Sequence, residues 1–215
     1  MRSPRLWIVL VATFFVAIAA HAAPLTREQA LKALEQPEAS ARLAGVERLG
    51  DIGEMPDADR LLSGLVDRDP HVRAAANDAI WKIWSRSGDS DIDKLFSRGL
   101  EQMQQSRFED ALVTFSTIIA RKPDFAEGWN KRATIYFVLG QNENSLKDCD
   151  EVLKRNPNHY GALSGAGQIE LRLGNPELAL EYFRRAVDVN PNLDGAAELI
   201  NVIEKYLREK GRGTT

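Results

Sequence analysis

Three prolines set the frame. Pro123, Pro157 and Pro191 are spaced by 34 residues each. Proline has no amide N–H and pushes the residue before it out of the helical region, so each one marks where a helix stops. Other residues keep the same step. Gly99, Ala133 and Gly167 lie 34 apart, and so do Ala111, Ser145 and Ala179. Four positions further on stand Phe115, Cys149 and Phe183. Small residues at facing positions let two helices approach closely, and Phe115 and Phe183 then fill the contact as knobs. Gly140 and Gly174 fall where the first helix of a pair needs a left-handed residue to end it. The expected fold is all-α: helix pairs stacked into an α-solenoid.

The period and its residues resemble the tetratricopeptide repeat, whose pattern is W-x2-L-G-x2-Y, then A-x3-F, then P. The middle unit carries Trp129, Ala133, Tyr136, Ser145, Cys149 and Pro157 in those slots. Trp129 and Tyr136 lie seven apart on one helical face, where they can fill the gap between helices. The first unit reads Leu95, Gly99, Ala111, Phe115 and Pro123, and the third Leu163, Gly167, Ala179, Phe183 and Pro191. The units are 92–125, 126–159 and 160–193. A closing helix over 194–210 sets Ala197, Ile200, Ile203 and Leu207 against charged residues, as a polar-backed cap requires.

Residues 24–88 repeat differently. Ala41-Arg42-Leu43-Ala44-Gly45-Val46 aligns with Val72-Arg73-Ala74-Ala75-Ala76-Asn77, and Asp67-Arg68-Asp69-Pro70 supplies a cap and a first-turn proline. This run is similar to short HEAT-type helical repeats. Thr26-Arg27-Glu28-Gln29 reads as a capping box. Four helices are expected, over 26–35, 38–51, 57–66 and 70–86. Arg42 and Arg73 either bond an acidic loop residue such as Asp67 or Asp69, or serve a ligand. The joint at Ser85–Asp91 is short, so the two repeat types are expected to stack as one continuous solenoid.

The first 22 residues read as an address. Arg2 and Arg5 precede an apolar run from Leu6 to Ala20, and Ala20-His21-Ala22 offers small residues to a signal peptidase. Cleavage is expected after Ala22. An uncleaved anchor stays open, because Ala22, Ala23 and Leu25 extend the apolar stretch, and membrane attachment is expected only through it. The expected location is a bacterial periplasm. Removing Arg2 and Arg5 leaves 26 basic residues against 31 acidic ones, so the net charge goes from −3 to about −5. That balance argues against nucleic acid as a partner. One cysteine rules out an internal disulfide framework, and three histidines leave little material for a metal cluster. Nucleophile elbows, zinc motifs and Walker loops are absent. The glycine-rich Gly161–Gly167 lacks the lysine that a phosphate loop needs, and its glycines suit close helix packing. No catalytic residue, cofactor or metal is expected.

A solenoid offers instead a concave face lined by the first helix of each pair. Phe96, Met103, Asn130, Lys131, Thr134, Phe137, Gln168, Leu171 and Arg172 are the candidate ligand groove. Arg132 joins the polar members as one more residue beyond what packing requires. Apolar members of this set either anchor a ligand or seal neighbouring helices. The family's carboxylate-clamp variant holds a peptide's terminal carboxylate with Lys, Asn and Arg. Its slots here hold Asp93, Ser97, Glu127, Lys131, Gly161 and Gly165, so the match fails. Phe125–Thr134 with His159–Gly165 resembles a group of exported bacterial tetratricopeptide proteins. The implied function is a periplasmic adapter that binds a protein or peptide partner in the groove. Its alternatives are a self-associating scaffold or an accessory subunit of an envelope enzyme complex.

Overall fold

In each repeat the residue before proline is forced into extended backbone. Lys122, Asn156 and Asn190 have φ of −138°, −138° and −131° and end their helices. The computed structural model describes residues 23–212. The expected signal segment therefore lies outside the described residues. Helix is the regular structure found among them. The order is α1 (Arg27–Ala33), α2 (Ala39–Ile52), α3 (Met55–Leu61) running into a 3₁₀ turn (Leu62–Val66), and α4 (Pro70–Trp84). Then come α5 (Ser90–Gln104), α6 (Phe108–Arg121), α7 (Ala126–Val138), α8 (Asn142–Arg155), α9 (Tyr160–Arg172), α10 (Pro176–Val189) and α11 (Asp194–Arg212). α5–α6, α7–α8 and α9–α10 are antiparallel pairs, each stacked on the next, and α11 closes the stack against α10. The chain is an all-helical solenoid over these repeats.

Volume matching holds each pair together. A Cβ added at Gly99 would sit 2.6 Å from the Phe115 ring, and one at Gly167 would sit 2.9 Å from Phe183. Glycine is what lets the phenylalanine in. In the middle pair the exchange runs the other way: Ala133 has gained a methyl and Cys149 replaces the ring, and both are buried in one cluster. Ala111 and Ala179 are fully buried beside their phenylalanines. Ser145 takes the same slot and donates from Oγ to the Ala133 carbonyl at 2.7 Å. Trp129 and Tyr136 are half-buried and flank the Arg132 guanidinium at 5.1 and 5.7 Å. Arg132 grips both oxygens of Asp148 at 2.7 and 2.9 Å and Ser116 Oγ at 3.1 Å, tying α7 to α8 and α6.

The N-terminal helices have their own devices. Thr26 and Gln29 close a reciprocal capping box at the start of α1. Asp69 caps α4 by accepting from the amides of His71 and Val72. Arg42 holds both oxygens of Asp67 at 2.6 and 2.8 Å and donates to the carbonyls of Gln36 and Pro37. Arg73 donates to the carbonyls of Asp67 and Arg68. Both arginines thus bind the loops around Asp67.

The two parts do not stack end to end, which corrects the expectation of one continuous solenoid. The core of the first repeat is built from residues between Ile92 and Leu139 alone. The N-terminal core instead takes in Tyr160, with Val189 and Leu193 packed against it. After α4 the chain turns at Gly88 (φ +75°), and Asp89 caps α5. This folds α4 back along the edge where the repeats begin. Trp81 and Trp84 explain the choice, because an aromatic face on an alanine-rich helix must be covered, and the second and third repeats cover it.

One position carries local strain. Gly140 and Gly174 have φ of +72° and +83°, and the residue 34 before Gly140 is Ser106, with φ +57°. A non-glycine residue in this region costs about 1–2 kcal/mol, partly returned through the less flexible unfolded chain. Ser106→Gly is expected to stabilise the protein by about 0.5–1 kcal/mol, read as a raised denaturation midpoint. A lowered midpoint would show that Ser106 makes a compensating contribution.

Candidate functional site

The site is organised by a buried histidine at the start of α9. His159 Nδ1 accepts the amide of Ala162 at 3.0 Å, which caps the helix. An accepting Nδ1 leaves the proton on Nε2. Nε2 donates to Glu127 Oε1 at 2.6 Å. The Trp84 ring stacks on the imidazole at 4.4 Å and 20°, and Trp81 meets it edge-on at 5.3 Å. Glu127 itself is fully buried. Lys131 Nζ lies 3.2 Å from its Oε2, and Asn130 Nδ2 donates to both oxygens at 3.1 Å. Burial alone would raise the Glu127 pKa. The His159 hydrogen bond, the charge of Lys131 and the Asn130 hydrogen bond outweigh it and hold the carboxyl well below the usual carboxylate range.

Beside this cluster a cavity of about 440 Å³ opens on the concave face. Asn130, Thr134 and Phe137 line it from α7, and Gly161, Gly165 and Gln168 from α9. Cys149 lines it from α8, and Asn77 and Trp81 close one end from α4. Burial pushes the Cys149 thiol up to about 12, so it is a neutral wall. The docking of α4 requires glycine at 161, where a Cβ would meet the Trp81 ring at 2.8 Å. Tyr160 Oη donates to Asn77 Oδ1 at 2.9 Å, and Asn192 Nδ2 donates to the Leu65 carbonyl at 2.7 Å.

Of the candidate groove residues, Asn130, Thr134, Phe137 and Gln168 come together in the cavity. Arg172 lies at its margin, with its guanidinium 3.5 Å from the centre of the Phe137 ring and Nη1 donating to the Phe137 carbonyl. Lys131 stands beside the cavity, held by Glu127 and 5.4 Å from the Trp81 ring centre. Phe96 is elsewhere, buried against Phe115 and Phe125, and Met103 packs on the same core. Leu171 packs into the cluster between α10 and α11. Asn77, Trp81, Tyr160 and Cys149 were not among the candidates. The pair Trp81 and Trp84, three apart on an alanine-rich helix, was the available signal. Among the described residues no group of three or more His, Cys, Asp or Glu is placed to hold a metal ion. No helix among them is long and apolar enough to cross a membrane.

Glu127 makes stability depend on pH. Its folded pKa is depressed, so its contribution is fully present above about pH 4.5 and is lost as pH falls through the depressed folded value. The unfolding free energy across this window is expected to fall with a slope of up to one proton, about 1.4 kcal/mol per pH unit, read as a falling melting temperature. Glu127→Gln is expected to start less stable and to lose that slope. An unchanged acid slope in the variant would assign it to another carboxylate.

The tetratricopeptide repeat family profile matches residues 96–151 and 130–197. A TPR repeat-containing protein of Rhizobium etli is 36% identical over 150 residues, covering 69% of this chain and 74% of that protein. Hsp70-Hsp90 organizing protein 1 of Glycine max is 26% identical over 120 residues, 54% of this chain but 21% of that protein. Among solved structures, the first TPR of Spaghetti (RPAP3) bound to the HSP90 peptide SRMEEVD superposes with a TM-score of 0.54 at 22% identity, covering 56% of this chain and 96% of that one. The Yersinia enterocolitica type III secretion chaperone SycD, in complex with a peptide of the translocator YopD, gives 0.53 at 14% identity, covering 55% and 95%. The likeness to these two is one of fold. The matched profile, the 34-residue period and the extent of the Rhizobium match together place the chain in the tetratricopeptide repeat family.

Proposed function

We propose that this chain is a periplasmic adapter that binds a peptide segment of a protein partner on its concave face. The observation that carries the reading is the cavity between α7 and α9, open on the side where such a segment would lie. A peptide site of this kind fixes an extended chain by a few placed polar groups among apolar ones. Asn130, Thr134 and Gln168 beside Phe137 and Trp81 supply that mixture. The fold neighbours were solved with peptides of HSP90 and of a translocator, which supports a peptide as ligand. We take the role to be binding without catalysis, in keeping with the tetratricopeptide repeat as a protein-interaction module. The periplasmic part of the reading rests on the sequence of residues 1–22. Residues 24–88 are read as a HEAT-like unit, supported by the matched roles of Arg42 and Arg73 around Asp67.

A photo-crosslinker at Gln168, on the cavity rim, tests the groove. The control is the same group at Val113, which is 69% exposed on α6. Expressed in a Gram-negative host with fractionation, Gln168 is expected to give discrete protein adducts in the periplasmic fraction, and Val113 none. The same fraction is expected to yield a chain beginning at Ala23. Equal labelling from both positions would overturn the groove, and full-length protein in the inner membrane would overturn cleavage.

A further inference from the structure

We propose that the cavity is a composite pocket for one large apolar side chain of an uncharged peptide segment, with Trp81 of the N-terminal unit as its end wall. This inference rests on the groove reading above and names the ligand's chemistry. Four observations converge on it.

The lining is neutral. No residue that lines the cavity is charged. Two cations beside it are engaged: Lys131 by Glu127, and Arg172 by the Phe137 carbonyl and ring. A terminal carboxylate or an acidic side chain placed here would lose its water with no cation to replace it.

The repeat pattern breaks where the space is. Cys149 stands in the slot that Phe115 and Phe183 fill in the other repeats, and its Sγ lines the cavity. Gly165 stands in the middle of α9, where glycine weakens a helix. Packing does not require it. A Cβ there would meet only Cys149 Sγ, at 3.9 Å. Gly99 and Gly167 are forced by their phenylalanines; Gly165 leaves room.

One buried polar group faces this room. Asn130 is 8% exposed, and its Nδ2 is fixed by both oxygens of Glu127. Its Oδ1 is left without a protein partner. An oriented amide oxygen accepts an N–H, as a peptide backbone offers, and repels a carboxylate. Glu127 thus selects the polarity that Asn130 presents.

The wall comes from outside the repeats. Trp81 is held against Gly161 and beside His159, so the pocket's length is set by how α4 docks.

The test uses full-length mature protein and an array of capped heptapeptides. One set is uncharged with Phe, Leu, Met or Trp at the centre. A second set carries Asp or Lys there, and SRMEEVD is a separate probe. The wild type is expected to bind the apolar-centred set at least tenfold better than the charged set and SRMEEVD. Gly165→Leu fills the pocket and is expected to weaken that binding at least tenfold while melting no lower than wild type. Gly165→Ala is expected to raise the melting temperature by about 2–4 °C through helix propensity. Trp81→Phe shortens the wall and is expected to shift preference from Phe-centred towards Trp-centred peptides. Equal or better binding of the charged set would overturn the proposal and leave the groove reading standing. Undiminished binding by a folded Gly165→Leu would do the same. An unshifted preference in Trp81→Phe would remove Trp81 as the wall. No binding of any peptide, together with no adduct at Gln168, would sink the groove reading itself.

Discussion

The imidazole of His159 carries three constraints at once. One nitrogen caps α9, the other donates to a buried carboxylate, and the face of the ring is covered by Trp84. These demands agree on a single protonation state. A proton on Nδ1 would leave the Ala162 amide without its acceptor, and loss of the proton from Nε2 would set two acceptors against each other. The position of α4 follows from the covered face. The position of Trp81, the requirement for glycine at 161 and the fixed orientation of Asn130 follow in turn. A buried charge is costly unless well partnered, and Glu127 is partnered from three sides, so the cluster holds only as a unit.

Other charged groups differ in weight. Arg132–Asp148 and Arg42–Asp67 are bidentate and largely shielded; the first ties α7 to α8, and the second ties α2 to the loop before α4. Arg132 belongs to the interior of the middle repeat, though its sequence position beside Asn130 and Lys131 suggested a ligand patch. Pairs such as Lys32–Glu28 and Lys94–Asp91 are exposed on single helices and contribute little.

Much of the fold was legible because a repeat states its contacts several times over. Gly99 with Phe115 and Gly167 with Phe183 are one contact written twice, and the pre-proline stops recur at a fixed step. The cavity was less legible for the converse reason: it sits where the repeat departs from itself. Cys149 reads as a degenerate phenylalanine until Gly165 is seen opposite it. Asn77 and Trp81 meet the groove through contacts such as Tyr160 with Asn77, 83 residues apart, which no local spacing reveals. Phe96 and Leu171 have the period of groove positions but lie in the outer repeats, where nearby rings and α11 cover them. Lys131 occupies a groove position, and only the buried Glu127 one turn earlier shows why its charge is not available.

The side-on placement of α4 also fixes a distance along the stack. Tetratricopeptide stacks can lengthen or shorten by whole units, since each contacts only its neighbours. Here a 15-residue helix, about 22 Å long, lies across that freedom. Its C-terminal end is fastened at His159, and the 3₁₀ turn that precedes it at Asn192, one repeat further on. An added or deleted unit between these points would pull one fastening out of reach. The N-terminal unit therefore acts as a ruler for the step from the second repeat to the third.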